Sequence, residues 1–307
     1  MQLYHWRGAV PNFGDELNTV LWPRLLPDFF DDDPAELFLG IGSVLDVQHD
    51  VTATKLVAGA GYGGYRAPPV LDANWVVHWV RGPRTARLLS LPETLGLGDP
   101  AMLLAVPGNS GAGSIGFMPH FESLSRGAWA EAAAVAGVTL IDPRDDPAAI
   151  LAAIGNCRVL LSEAMHGVIV ADAMRVPWVA LRPVVPVHRA KWYDWADALA
   201  LRICFRPLTA SSLPERLHAS PLAAPHRIHR LLDLARPVLA AAARRRFIEQ
   251  AAQSLAAAAA ATPQLSAAAA LDRCRTRMLE RLAALRRNPR QPAACALHPS
   301  GHSAYQD

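Results

Sequence analysis

The amino-acid sequence predicts an α/β fold in which two parallel β-sheets face a common cleft, followed by a C-terminal helical tail. Short apolar runs alternate with helix-like segments, which is typical of parallel sheets covered by helices on both faces. A cluster of turn formers at 107–113 interrupts this alternation once, and the pattern then restarts. Beyond Pro225 no strand-like run follows, and alanine, leucine and arginine dominate. We therefore assign two α/β domains to 1–107 and 114–215, a basic Ala/Arg-rich helical tail to 225–290, and a disordered end to 291–307.

In the first domain, strands are predicted from buried apolar runs and helices from apolar residues at helical spacing. The turn Asn12-Phe-Gly-Asp15 opens the first helix. Pro83 lies near the start of a second helix, where proline loses no needed hydrogen bond. Glycine-rich segments follow or interrupt two of the strands, as expected where backbone approaches a ligand or another backbone. The predicted strands are 1–6, 37–45, 55–60 and 75–80, and the predicted helices are 16–26 and one starting at 81–85, which together form a Rossmann-like domain.

The second domain repeats the alternation of strands and helices, which indicates a second parallel sheet and a second Rossmann-like domain. Two such domains facing each other leave a cleft between their strand ends. The predicted strands are 114–118, 138–141, 158–161 and 178–181, and the predicted helices are 128–136, 147–154 and a helix that carries the apolar residues after His166.

The segment 158–177 is the most informative part of the chain. It reads as a buried strand that feeds a helix, with Ser162, Glu163 and His166 at the strand's carboxyl end and in the first helical turn. Open α/β sheets bind ligands at this edge. The unpaired N–H groups of a helix start favour an anion there by about 0.3–1 kcal/mol. The sequence therefore predicts an anionic substrate.

Charge is distributed unevenly along the 307 residues. From Pro225 to Arg290, thirteen arginines stand against four acidic residues, a net charge of +9, whereas the rest of the chain carries −6. Such a tail suits an anionic membrane surface or a partner helix. Nucleic acid is not an expected partner, because the arginines lack interleaved aromatic residues and the α/β part is acidic.

Several function classes lack their usual sequence signals. We find no Walker A loop, no dinucleotide-binding glycine pattern at a strand-to-helix turn, and no Gly-x-Ser-x-Gly elbow. The four cysteines are scattered and the histidines are not clustered, so neither a metal site nor a bound cofactor is predicted. No signal peptide or membrane-spanning run is recognised, so we expect a cytoplasmic protein, with peripheral contact to the inner face of the cytoplasmic membrane through the tail.

Seven short motifs occur in the order seen in bacterial polysaccharide pyruvyl (ketal) transferases, and the sequence resembles this family over about residues 1–210. The motifs are Asn12-Phe-Gly-Asp-Glu-Leu-Asn18, Gly40-Ile-Gly-Ser43, Val80-Arg-Gly-Pro-Arg-Thr85, Gly98-Asp-Pro100, Ile115-Gly-Phe-Met-Pro-His120, Ser162-Glu-Ala-Met-His-Gly167 and Lys191-Trp-Tyr-Asp194.

This resemblance implies a GT-B-like fold of two Rossmann-like domains. It also implies transfer of a pyruvyl ketal from phosphoenolpyruvate, the donor substrate, to a sugar of a lipid-linked saccharide in exopolysaccharide biosynthesis. One departure matters. Relatives often have Ser-x-Arg-Leu-His-Gly, whereas this chain has Ala164 at the arginine position. Either another arginine supplies the positive charge or the donor differs.

The predicted catalytic residues are His166, Asp15 and Glu163. The methylene carbon of phosphoenolpyruvate must gain a proton, and histidine is the side chain most easily poised as an acid near neutral pH. We predict His166 as that acid or as a phosphate ligand, the alternative being a histidine that only caps or packs its helix. Asp15 is predicted as base for a sugar hydroxyl, the alternative being a helix cap. Glu163 is predicted to orient the imidazole or accept a proton, the alternative being a complement to the helix dipole.

The predicted substrate-binding residues supply positive charge or lie at strand ends. Arg81 and Arg84 follow a strand and can each grip a carboxylate or phosphate with two hydrogen bonds, although surface salt bridges explain them equally. Lys191, one of only two lysines, lies beside aromatic residues suited to phosphate or sugar binding. The remaining predicted substrate-binding residues are His120, Ser162, Asn12 and Gly14.

Two other functions remain open from the sequence. The closest is a GT-B-like glycosyltransferase that uses a nucleotide-sugar donor, which Ala164 leaves possible. The second is a non-catalytic polysaccharide-assembly protein that keeps the cleft and binds a saccharide or a protein. The presence of His166, Arg81 and Asp15 argues against this second function.

Overall fold

The computed structural model describes residues 1–31, 33–104, 113–218 and 237–291. Its described part contains two four-stranded β-sheets in which all strands run parallel. The predicted α/β fold with parallel sheets is therefore confirmed. The turn-former cluster at 107–113, except Gly113, and the predicted disordered end at 291–307, except Gln291, lie outside the described residues.

The first sheet follows chain order, β1-β2-β3-β4. Its strands are short apolar runs buried on both faces, as parallel strands require. Leu56 and Val77, for example, are at most 5% exposed. The bounds are Gln2–Tyr4 for β1, Glu36–Leu39 for β2, Thr54–Ala58 for β3 and Trp75–Trp79 for β4. Each lies within or next to a predicted strand.

The second sheet has the order β6-β5-β7-β8. Strand β7 is central, so it is paired on both sides, and Leu160 and Leu161 within it are completely buried. The bounds are Ile115–Met118 for β5, Thr139–Leu140 for β6, Val159–Ser162 for β7 and Trp178–Ala180 for β8.

Most helices connect strands or cover sheet faces. Asp146 caps one of them by accepting hydrogen bonds from the first-turn N–H groups, and proline follows at its first position. The helices in the described residues are α1 (Phe13–Leu25), α2 (Pro83–Leu88), α3 (Phe121–Arg126), α4 (Trp129–Ala136), α5 (Pro147–Gly155), α6 (Met165–Ala173), α7 (Ala190–Ala198), α8 (Leu213–His218), α9 (Pro237–Ala259) and α10 (Ala268–Arg287).

The helices predicted for 225–290 that fall in the described residues are α9 and α10, and both pack on the α/β part. Helix α9 lies against α4, where Leu255 is completely buried under the second sheet. Helix α10 contacts β4, and its Met278 joins the largest core cluster. This cluster also holds Trp22 and Trp178, so one core connects the two sheets.

Within the described residues, no helix is both long enough and apolar enough to cross a bilayer.

Candidate functional site

A cleft of about 270 Å³ opens where the carboxyl ends of the two sheets meet. Loops after β1, β2 and β3 form one wall, and segments after β5, β7 and β8 form the other. This is the edge at which open α/β sheets bind ligands. The lining residues are Trp6, Asn12, Asp15, Gly42, Ser43, Val44, Asp46, Gln48, Tyr65, Arg66, His120, Phe121, Glu122, His166, His188 and Lys191.

His166 lies in the first turn of α6 and lines the cleft, and no side chain among the described residues caps the start of this helix. Its imidazole rests directly on the backbone of Gly14 at the start of α1. A Cβ atom built on Gly14 would lie 2.0 Å from Nδ1 of His166. Glycine at position 14 therefore allows the start of α1 to meet the histidine of the second sheet.

Asp15 follows Gly14 and is half-buried in the same corner. The side-chain amide of Asn12, the residue that begins α1, donates a 2.6 Å hydrogen bond to Oδ2 of Asp15. Burial raises the pKa of Asp15, and this increase is opposed by that hydrogen bond and by the charges of His166 and Lys191. Asn12, rather than Asp15, occupies the cap position, so the carboxylate of Asp15 is not used to cap the helix.

Asp99 lies on the other side of the His166 ring. Its carboxylate is buried, with one oxygen, Oδ1, accepting a hydrogen bond from the N–H of Ala101. The second oxygen, Oδ2, is 3.4 Å from Nε2 of His166. Among the described residues, neither Oδ2 of Asp99 nor Nε2 of His166 has a hydrogen-bond partner of good geometry. Two buried polar atoms that face each other form a hydrogen bond after a small rotation of the ring, so Asp99 can orient the imidazole.

His120 and Lys191 both reach the cleft from segments that follow strands of the second sheet. The ring of His120 stacks on His188 with 4.1 Å between centroids. Burial, with the nearby Lys191 charge and His188, lowers the pKa of His120 well below its usual value, so its ring is neutral at pH 7. The ammonium of Lys191 lies 3.3 Å from the hydroxyl of Tyr65, across the cleft.

Two aromatic side chains stand at the cleft wall. Trp6, 40% exposed, follows β1, and Phe121 begins α3. Their ring centroids are 6.1 Å apart. Exposed aromatic faces of this kind suit the apolar faces of sugar rings.

Arg81 does not reach the cleft, contrary to the prediction that it binds substrate. Its side chain is completely buried, and Nε donates a 3.1 Å hydrogen bond to Asp194 on α7. The other guanidinium nitrogens donate to Ser43 Oγ and to the carbonyl oxygen of Tyr62. Gly61 lies against the guanidinium, where a Cβ atom would be 2.3 Å from its carbon. Every nitrogen of this guanidinium is thus used inside the protein.

Arg84 is exposed and forms an ion pair with Asp197, with 2.7 Å between Nε and Oδ2. Its guanidinium also lies over the ring of Tyr193. The salt-bridge alternative considered for this arginine therefore describes its position, and it is not among the residues that line the cleft.

Glu163 is 1% exposed, and both of its carboxylate oxygens accept hydrogen bonds. The donors are the N–H groups of His120 and Val184 and the hydroxyl of Ser123. Burial raises the pKa of Glu163 to about 7. A carboxylate held in this way ties together the loops after β5 and β8. The predicted proton transfer or imidazole contact by Glu163 does not agree with this position.

Ser162 is likewise completely buried. Its hydroxyl accepts a hydrogen bond from the N–H of Ala164 and donates to the carbonyl oxygen of the same residue. These bonds shape the turn between β7 and α6 that presents His166. Because this buried hydroxyl is used within the turn and does not line the cleft, Ser162 fixes the turn in this structure.

A second groove, of about 350 Å³, lies between the segments after β8 and is lined by Arg182, Arg189 and Arg216 among other residues. In this groove Arg182 and Arg216 are exposed, and Arg189 donates to the carbonyl oxygen of Pro183. The cleft brings together more buried ionisable groups, so we take it as the candidate site.

The structure thus brings together His166, Asp15, Asn12, Gly14, His120 and Lys191 at the cleft, whereas four other predicted residues do not line it: Arg81, Arg84, Glu163 and Ser162. Sequence reasoning missed several cleft residues. Two signals were present: Tyr65 and Arg66 directly follow the glycine-rich segment 59–64, and Asp99 lies in a quoted motif. Trp6, Glu122 and His188 are among the other lining residues that were not predicted.

Comparison with known proteins agrees with the resemblance in the motifs. Residues 71–183 match the family model "Polysaccharide pyruvyl transferase". The chain is 38% identical over 213 residues to "Succinoglycan biosynthesis protein ExoV" from Rhizobium meliloti (strain 1021), and the match covers 67% of each chain. No solved structure matches the chain significantly. The match includes β4, the Asp99 segment and the His166 turn. The chain therefore belongs to the polysaccharide pyruvyl transferase family and is a transferase enzyme.

Proposed function

We propose that this protein transfers a pyruvyl group from phosphoenolpyruvate to two hydroxyls of a sugar in exopolysaccharide biosynthesis, with a lipid-linked saccharide as acceptor. The observation that carries the proposal is the meeting of His166 and Asp15 in the cleft between the two sheets. The relative named for succinoglycan biosynthesis supports a saccharide acceptor. Family membership favours pyruvyl transfer over the glycosyltransferase and non-catalytic alternatives.

The reaction needs one proton donor and two proton acceptors. A proton added to the methylene carbon C3 turns it into a methyl group and makes C2 electrophilic. The first hydroxyl oxygen bonds to C2 and loses its proton, and the C2–O bond to phosphate then breaks with its electron pair leaving on phosphate. The second hydroxyl bonds to C2 and closes the ketal. Of the two hydroxyl protons, one replaces the proton given to C3 and the other leaves with phosphate.

In this scheme His166 protonates C3, and Asp15 accepts a hydroxyl proton. The pKa of Asp15 is raised by burial, which makes its carboxylate a stronger base than an exposed aspartate. Asn12 holds that carboxylate, and Gly14 lets His166 approach it. Asp99 orients the imidazole from Nε2.

Positive charge for the donor comes from two cations that line the cleft, Lys191 and Arg66. Arg66 lies after β3 and also donates a hydrogen bond to the side chain of Gln48. We propose that Arg66 supplies the positive charge that relatives often place at the position of Ala164. The start of α6 adds free N–H groups, which suit a phosphate or carboxylate. Trp6 offers its exposed face to the acceptor sugar.

We also propose a GT-B-like arrangement in which each sheet belongs to one Rossmann-like domain and the cleft is the active site. Parallel sheets whose carboxyl ends border one cleft support this arrangement. Exposed arginines such as Arg246 on α9 and Arg286 and Arg287 on α10 support peripheral contact with an anionic membrane that carries the lipid-linked acceptor. On this proposal the enzyme works at the cytoplasmic face.

The first test measures ketal formation and phosphate release when the purified protein is given phosphoenolpyruvate and lipid-linked saccharides from an exopolysaccharide-producing bacterium. We expect product with the wild-type protein and a loss of about 10²–10⁴-fold in His166→Ala. Arg84→Ala, which removes a side chain outside the cleft, serves as the matched control and keeps its rate.

Ligand-induced stabilisation identifies the donor independently. Phosphoenolpyruvate should raise the melting temperature, whereas UDP and GDP should not, because only a ligand that binds the folded state stabilises it. A shift with UDP or GDP and none with phosphoenolpyruvate would overturn the proposal in favour of glycosyl transfer.

A further inference from the structure

Three side chains form a continuous hydrogen-bonded chain in the cleft that the proposed roles of His166 and Asp15 do not use. Oε2 of Glu122, in the first turn of α3, is 3.0 Å from Nε2 of His188. Nδ1 of His188 is 3.0 Å from the hydroxyl of Tyr65. His188 is buried, whereas Tyr65 is 46% exposed and lines the cleft. This hydrogen-bonded series therefore runs from the carboxylate of Glu122, through the buried His188, to the phenol of Tyr65 in the cleft.

The charge states fix the direction of the protons along this chain. The hydrogen bond from His188 lowers the pKa of Glu122, with help from Arg126, so the carboxyl is ionised and only accepts hydrogen bonds. Burial lowers the pKa of His188, so its ring is neutral at pH 7. Nε2 of His188 consequently carries the ring proton and donates to Glu122. Nδ1 is left as an acceptor, and the Tyr65 hydroxyl donates to it.

Lys191 completes the surroundings of the phenol. Its ammonium donates toward the Tyr65 oxygen from 3.3 Å and lies near the face of the ring, 5.9 Å from its centroid. A cation next to this oxygen stabilises the negative charge that forms when the phenol gives up its proton. The Tyr65 oxygen thus has a proton acceptor on one side and a positive charge on the other.

A metal ion is a competing explanation for part of this cluster, because ligand atoms of His120, Glu122 and His188 lie within 4.8 Å of one another. The geometry disfavours it. Both ring nitrogens of His188 already have hydrogen-bond partners. The rings of His120 and His188 are stacked only 22° from parallel, so the two rings cannot both direct in-plane lone pairs at one ion without turning.

We propose that Tyr65 is a second catalytic base, which takes the proton of one of the two acceptor hydroxyls while its own proton passes to Nδ1 of His188. Glu122 acts as a positioning residue that holds His188 with Nδ1 unprotonated and stabilises the imidazolium that forms. The O–H bond of the acceptor breaks as its oxygen bonds to C2 of phosphoenolpyruvate, and the extra proton on His188 afterwards returns through Tyr65 to the departing phosphate. This inference rests on the proposed function, since a ketal requires two hydroxyl deprotonations, and Asp15 serves the other one.

The kinetic test compares Tyr65→Phe with Tyr193→Phe. Both variants lose one phenolic hydroxyl, but Tyr193 lies on α7 outside the cleft. We expect Tyr65→Phe to lower kcat by about 10²-fold or more while KM for phosphoenolpyruvate changes little, and Tyr193→Phe to match the wild type. Equal rates for the two variants would overturn the proposal.

The pH profile adds a readout that a structural role would not change. The groups that face His188 are Glu122, Lys191, Arg126, Tyr65 and the ring of His120. As pH falls through the pKa of His188, which lies below its usual value of about 6.5, the ring gains a proton and cannot accept another. Wild-type kcat should therefore decrease on the acid side through two ionisations, those of His188 and Asp15, whereas the residual rate of Tyr65→Phe should decrease through that of Asp15 alone. An unchanged acid-side decrease in that variant would contradict the relay.

The histidine tautomer tests the relay without any assay of turnover. Nitrogen NMR of the full-length protein should show His188 neutral at pH 7 with its proton on Nε2, and Glu122→Gln should change that signal. A proton on Nδ1 would contradict the relay. If the wild-type protein forms no ketal, the proposed function fails and the tautomer alone decides the relay.

Loss of activity with EDTA that Mg²⁺ or Mn²⁺ restores, together with loss of the His188–Tyr65 hydrogen bond on metal addition, would overturn the relay in favour of the metal site.

Discussion

Two polar clusters at the ends of strands look equivalent in the sequence, but they differ in what their side chains have left to offer. In the first cluster, the imidazole of His166 is 13% exposed, and both His166 and Asp15 line the cleft. Around Arg81, every guanidinium nitrogen donates to a protein acceptor, and the ion pair with Asp194 is buried. A polar residue at a strand end is therefore a good candidate for substrate binding only if its side chain still has donors or acceptors that the protein itself does not use.

The largest expected effect is on stability and comes from breaking the buried cluster. Arg81→Met leaves the Asp194 carboxylate buried without its cation, which should lower the free energy of unfolding by about 3–5 kcal/mol. Adding Asp194→Asn should restore part of this loss, because the amide oxygen still accepts from Thr85. Chemical denaturation measures both changes. A loss below about 1 kcal/mol in the single variant would show that Arg81 is not a structural anchor.

Glu163 should make stability depend on pH. Its pKa rises from an ordinary value of 4.5 to about 7 in the folded protein because the carboxyl is buried. The folded state then holds a proton that the unfolded state has lost, so the free energy of unfolding should fall as pH rises between these values. The total fall is on the order of 3 kcal/mol at about 1.4 kcal/mol per pH unit. Denaturation at several pH values should show a flatter profile for Glu163→Gln, and parallel profiles would refute the assignment.

The cleft cluster should respond in turnover rather than in stability. Gly14→Ala adds a methyl group that would meet Nδ1 of His166 at 2.0 Å, so the imidazole must move. A displacement of about 1 Å can cost about 10²-fold in rate, whereas alanine itself suits a helix better than glycine. Gly155→Ala in α5 is the matched control, since nothing lies within 4 Å of its added Cβ. Equal rates for the two variants would show that the contact with His166 has no role.

The smallest effect is expected at Arg84, which lies at the surface. Its ion pair with Asp197 has both side chains at least 40% exposed, so Arg84→Ala should lower the free energy of unfolding by about 0–1 kcal/mol. Ketal formation should stay at the wild-type rate. A large loss of turnover in this variant would restore the original hypothesis that Arg84 binds substrate.

The strands and the His166 turn could be predicted because their signals are local. The apolar run Trp75–Trp79 by itself indicates a strand buried on both faces. The polar turn that carries His166 comes within a few residues of the apolar run of β7, so the two signals are read together. The burial of Arg81 and Glu163 and their hydrogen-bond partners could not be predicted from local signals. Asp194 is 113 residues from Arg81, and Val184 is 21 residues from Glu163, so only the folded chain brings these partners together. His188 and Tyr65 were missed for the same reason, because their contact joins loops 123 residues apart.

The most direct test of the contrast between the two clusters is a crystal structure of the protein with phosphoenolpyruvate. We expect the phosphate and carboxylate to lie in the cleft, within hydrogen-bond distance of His166, Lys191 or Arg66, while the Arg81–Asp194 pair stays intact. Donor bound in the groove lined by Arg182, Arg189 and Arg216, or held by a released Arg81, would contradict the account.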